Sequence, residues 1–174
     1  MSHPRPPSVP VPPRWAAPLS GTLCMLALAD TAYLTYAHFT TATVLACPSN
    51  PKGFVDCAAV TTSSYSHPFG IPVVIPGLIW CAAMLVLCSP PAWRAVSPWA
   101  SRLRLAGSTA GIVMVLWLVY AELVKLHHLC EYCTVLHCVT GLLFIVILFA
   151  TAMTIQDEQD EQDDQDEQVA GTPV

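Results

Sequence analysis

The sequence predicts an all-α membrane protein: a four-transmembrane-helix bundle with a short interfacial helix in its first extracytoplasmic loop. Three observations lead there. Hydrophobic residues make up 54% of the 174 and charged residues only 11%, a balance too apolar for a soluble globule. Four apolar stretches approach the ~20 residues that a spanning helix needs: about Pro18 to Phe39, Phe69 to Cys88, Leu105 to Leu126 and Cys130 to Met153. The basic residues near the span ends are also lopsided. Arg5, Arg14, Arg94, Arg102 and Arg104 fall on one side, against Lys52 and Lys125 on the other. Basic loops mark the cytoplasmic face, so both termini are expected in the cytoplasm of a multi-pass cell-membrane protein, with the first and third connections outside.

Three regions follow. Residues 1–17 read as a disordered Pro-rich cytoplasmic leader, with six prolines before Arg14 and little apolar periodicity. No convincing cleavage site follows the first span, so that span is expected to be retained. Residues 18–153 form the membrane domain. Residues 154–174 read as an acidic, disordered cytoplasmic tail, because eight of the twelve acids lie between Asp157 and Glu167 and runs of like charge stay solvated. The net charge of -5 therefore describes a tail. No nucleic-acid partner is expected.

Within the domain, Asp30 falls near the middle of the first span, where an acid costs at least ~2.5–3.5 kcal/mol on insertion scales. It is expected to face the bundle interior, either as a proton carrier or cavity wall or as a carboxyl bonded to a neighbouring helix. The first connection, about Thr40 to Pro68, is long, and long structureless loops are usually functional. Its Cys47-Pro48-Ser49-Asn50-Pro51-Lys52-Gly53 is turn chemistry. Asp56 can cap a short helix from Cys57 to about Ser63 that lies flat over the bundle as a lid. Pro76 predicts a kink or a loosened turn in the second span. The Pro- and Trp-rich second connection reads as a cytoplasmic interfacial turn.

The chemistry is carried by cysteine. Cys130-Glu131-Tyr132-Cys133 opens the last span, and a C-x-x-C pair at a helix N-terminus can cycle between dithiol and disulfide because the helix dipole stabilises a thiolate. Cys130 is expected in the first turn, meeting an aqueous partner, with Cys133 one turn deeper facing the membrane. Cys47 and Cys57 supply a second pair in the loop, able to pass a disulfide on by thiol exchange. His137, one turn beyond Cys133 on its face, could donate to a ligand carbonyl or bond to a helix neighbour. Two blander readings stand beside this one. Four thiolates would also suit zinc in a metal-stabilised scaffold without redox catalysis, although an oxidising exterior favours disulfides, and no metal is expected. Two static disulfides are the other, but so small a C-x-x-C loop contributes little unfolded-state entropy. Cys24, Cys81, Cys88 and Cys138 are expected to pack as small apolar residues.

In combination these features resemble the vitamin K epoxide reductase family. The resemblance rests on the C-x-x-C opening the fourth span, the two loop cysteines, Phe69-Gly70-Ile71-Pro72 at the second span, Ala29-Asp30-Thr31-Ala32-Tyr33-Leu34-Thr35-Tyr36 in the first, and Val60-Thr61-Thr62-Ser63-Ser64 after the second loop cysteine. It implies a bundle enclosing a quinone, menaquinone or ubiquinone, as electron acceptor. It also implies an extracytoplasmic thioredoxin-fold (DsbA-like) protein as electron donor, in support of disulfide formation in exported proteins. By position, Cys47 and Cys57 would be the shuttle pair and Cys130 and Cys133 the active-site pair, with Cys133 adjoining the quinone. Animal members place a tyrosine where this chain has His137 and a quinone-binding asparagine near where it has Ser66, so those two residues, with Asp30, are the candidate quinone contacts.

Overall fold

The computed structural model describes residues 12–40, 54–67, 70–95 and 98–170. Among these residues the chain is helical, with one isolated backbone bridge and no strand. Helix α1 spans Ala16–Thr40, α2 Cys57–Thr61, α3 Val74–Leu87, α4 Pro90–Arg94, α5 Pro98–Tyr120 and α6 Glu131–Ala170. A 3₁₀ turn occupies Ser64–Ser66 and a π-helical turn, Ala121–Leu126, extends α5.

Large apolar side chains face outward on every long helix, among them Leu26, Phe39, Ile79, Val113 and Phe149. Water would penalise so greasy an exterior, whereas hydrocarbon solvates it. Segments Ala16–Thr40, Trp99–Leu126 and Glu131–Asp164 are each long and apolar enough to cross a membrane. The second predicted span is shorter than expected, because α3 has only 14 residues. Gly70 adopts φ 77°, a left-handed backbone that glycine tolerates, and Pro72 disfavours helix at the residue before it. Helix therefore begins only at Val74. Pro76 consequently lies in the first turn, where its missing N–H leaves no bond unmade, and the kink expected there is not required.

Helix α1 packs against α3 and α6, and α5 packs against α6 and α3. Small residues set how close they come. Gly107 and Gly111 sit one turn apart on α5, under Met84 and Trp80 of α3, and a Cβ on Gly111 would overlap the Trp80 ring. This is the small-residue spacing that brings membrane helices together. Trp80 Nε1–H then donates to the Gly107 carbonyl at 2.9 Å.

The end of the molecule opposite the C-x-x-C is closed by α4. Trp93 is buried there and donates through Nε1–H to Ser20 Oγ at 3.1 Å. Arg104, read from sequence as one of the charges in a cytoplasmic loop, is instead 3% exposed. Its guanidinium lies 3.8 Å from the centre of the Trp93 ring and donates to the carbonyls of Leu87 and Ala92 at 3.2 and 3.1 Å. It thus serves one carbonyl at the end of α3 and one near the end of α4, where helix carbonyls lack intrahelical donors. The acidic run, expected to be unstructured, continues α6 as helix to Ala170. Glu and Gln are good helix formers, and extending an existing helix needs no new nucleus.

Candidate functional site

Cys130 sits one residue outside α6, at its N-cap, rather than within the first turn. Its Sγ accepts the Cys133 N–H at 3.4 Å, and its carbonyl accepts the Thr134 N–H at 2.9 Å. The sulfur thus occupies the place usually taken by a capping hydroxyl or carboxylate. What brings the chain to this cap is the turn before it. The π-helical segment ends at His127, which adopts φ 56° in the left-handed region and reverses the chain into His128 and Leu129.

Leu129 is the anchor for the lid. Its N–H donates to the Phe54 carbonyl at 2.8 Å, and its carbonyl accepts the Asp56 N–H at 3.1 Å. This single bridge fixes where α2 starts. Asp56 Oδ1 then accepts the Ala59 N–H at 3.0 Å, the N-cap that the sequence predicts. Cys57, Val60 and Cys130 therefore form one buried cluster, with Leu126, Tyr132 and Cys133 packed around it. Both sulfur-bearing residues are sealed: Cys57 is 1% exposed and Cys130 0%. Cys57 is disulfide-bonded, whereas Cys130 and Cys133 are free thiols. Cys47 lies outside the described residues.

Beneath the lid is a cavity of about 300 Å³ walled by α1, α3, α5 and α6. Ligand pockets typically hold ~300–1,000 Å³. Cys133, His137 and Ser66 all line it. His137 is buried with Nε2 unbonded, which leaves a polar ring atom free for an incoming group. The Ser66 hydroxyl donates to the Val60 carbonyl, so toward the cavity it offers an acceptor rather than a proton. Asp30 is not among the lining residues, although its neighbour Thr31 is. Its Oδ2 is buried without a partner. Tyr33 and Tyr132 stack nearby, ring centres 5.0 Å apart, tying α1 to the C-x-x-C turn.

One further residue of the site escapes a reading by motif. Glu122 is 3% exposed, lines the cavity, and its carboxylate faces the Cys133 thiol and the Cys130 amide. In the sequence it looks like one of several polar residues at a helix end. The π-helical turn changes that, because a wider turn shifts the register of the side chains that follow. Three of the remaining cysteines pack as expected and Cys138, expected to pack as well, does not: Cys24 and Cys88 are buried in the central core. Cys81 is also buried and meets Thr31 Oγ1 at 3.5 Å. Cys138 is exposed on α6.

The site is thus a pair of thiols at the start of a helix, covered by a second cysteine-bearing segment and open through Cys133 to an apolar cavity. The sequence pattern of the vitamin K epoxide reductase family matches residues 18–148, and the chain belongs to that family. No curated protein matches the chain. Membership makes it a membrane oxidoreductase.

Proposed function

We propose that the chain is a thiol:quinone oxidoreductase that reoxidises an extracytoplasmic thioredoxin-fold protein and passes two electrons to a membrane quinone. The observation that carries this reading is the continuity of the site: Cys57 shares a buried cluster with Cys130, the Cys130 sulfur accepts the Cys133 N–H, and Cys133 lines the cavity. In this reading α1, α3, α5 and α6 all cross the bilayer, α2 lies in the outer interface, and both cysteine pairs face the oxidising side.

A reduced partner attacks the loop disulfide of Cys47 and Cys57 and leaves oxidised. The reduced loop then attacks the active-site disulfide, with Cys57 exchanging with Cys130 because those two sulfurs share one buried cluster. The active-site dithiol is left reduced. Cys130 and Cys133 next close their S–S bond, and the electron pair and two protons pass to the quinone, giving quinol. A thiolate attacks faster than a thiol, and the N-terminus of α6 favours that form. His137 would meet one quinone oxygen and Ser66 or a lid group would border the other end of the ring. The apolar walls favour the ring itself and exclude water.

The test is direct. Purified Cys133→Ala in detergent should form no quinol from menadione or a short-chain ubiquinone, while its loop disulfide still exchanges with a thioredoxin-fold dithiol. Quinol formation at the wild-type rate in that variant would refute the assignment.

A further inference from the structure

The proposed reaction moves two protons as well as two electrons, and the cysteines alone do not say how the protons leave. Every reduction of quinone breaks two S–H bonds and makes two O–H bonds, inside a cavity whose walls are mostly apolar. A carboxylate placed between thiol and ligand would do this work. Asp30 is a poor candidate because it does not line the cavity. Glu122 does, and it also faces the Cys133 thiol and the Cys130 amide.

We propose that Glu122 is the proton acceptor of the active-site dithiol and hands each proton on to the bound quinone. The inference rests on the quinone reductase reading above and deepens it. The Cys133 Sγ–H proton moves first to the Glu122 carboxylate and from there to one quinone oxygen, leaving a thiolate. Closure of the S–S bond between that sulfur and Cys130 sends the electron pair to the quinone and releases the proton of Cys130. The vacated carboxylate, held at the Cys130 amide, takes that proton in turn and delivers it to the other oxygen. Two thiols and one quinone are consumed, and one disulfide and one quinol result.

Position argues for this role over a merely structural one. A buried carboxyl is costly unless it is bonded, and an amide side chain could accept the Cys130 N–H equally well. Only an acid can also take up and release a proton. Its place on a π-helical turn is consistent with that, since such turns occur frequently at functional sites.

The experiment compares wild type and Glu122→Gln. Each is reduced with dithiothreitol, freed of it, and mixed anaerobically with menadione, quinol being followed by absorbance in a single turnover. Glutamine keeps the acceptor for the Cys130 N–H and loses the proton chemistry. The expected result is a fall of about 10²-fold in the rate, within the range of general acid–base catalysis, with Cys133 still alkylated by N-ethylmaleimide to the wild-type extent. A rate within about twofold of wild type overturns the proposal. So does a slow variant whose Cys133 is no longer alkylated, because the loss is then one of position. If Glu122→Gln does not purify folded, Glu122→Asp against Glu122→Asn repeats the contrast, and equal rates in those two overturn it. Wild-type protein that forms no quinol at all overturns the parent reading as well, so the two failures are told apart.

Discussion

The two ends of this molecule use similar residues to opposite effect. At the C-x-x-C end, thiols, a carboxyl and an imidazole border a cavity, and His137 keeps a ring nitrogen without a partner. At the other end, away from that cavity, Trp93 bonds to Ser20 and the Arg104 Nη groups to Ser101 and to helix carbonyls, the Arg104 Nε is buried without a partner among the described residues, and Cys24 and Cys88 disappear into a core of Leu23, Met84, Leu143 and Ile147. A buried polar group whose donors reach neighbouring helices holds them together. One that is left facing a void is available for chemistry. The difference lies in what surrounds the residue, and both ends carry a pair of buried cysteines.

The sharpest way to break this comparison is to remove one sulfur from each end. Cys130→Ala should abolish turnover of the partner dithiol with quinone, whereas Cys88→Ala should retain it within about twofold, as expected for a small apolar packing residue. Equal losses in the two variants, measured in the same detergent assay, would erase the distinction.

A smaller effect is expected from the structural end. Trp93→Ala removes the ring that covers Ser20 and stacks under Arg104, and should lower stability by about 3–5 kcal/mol, the range for deleting a large buried aromatic. Thermal unfolding in detergent reads this. Quinol formation by the protein that remains folded should be unchanged, since Trp93 does not line the cavity.

The mildest perturbation sharpens the other end. Asp56→Ala deletes the cap on α2 and should cost about 1 kcal/mol. Its signature is local: amide exchange at Ala59 and Val60 should accelerate while α3 and α5 stay protected.

Much of the site was legible in the sequence because covalent spacing carries it. The C-x-x-C, Cys57, His137 one turn further on, and the Asp56 cap all depend on neighbours within a few residues. Arg104 reads from sequence as a loop charge, yet its contacts with Leu87, Ala92 and Trp93 bury it. Glu122 matches no motif and stands at a polar helix end, so nothing in the sequence marks its burial beside the cavity. The pairing of Leu129 with Phe54 and Asp56 leaves no trace in periodicity at all, since main-chain bonds do not depend on which side chains flank them. The brevity of α3 was missed because an apolar run marks what hydrocarbon tolerates, while Gly70 and Pro72 decide where helix can begin. The acidic run of α6 illustrates the converse, where charge pattern outweighed helix propensity in the reading and propensity prevailed in the fold.

That main-chain clip at Leu129 has a consequence for wear. Thiols at this site would swap partners on each catalytic cycle, and bonds between sulfurs would come and go. The hinge holding the cover in place contains no sulfur, no charge and no side-chain atom, so oxidation state has no handle on it. The cover can keep its alignment through successive rounds of chemistry, like a door whose latch is rebuilt each time it closes while the hinge pin never moves.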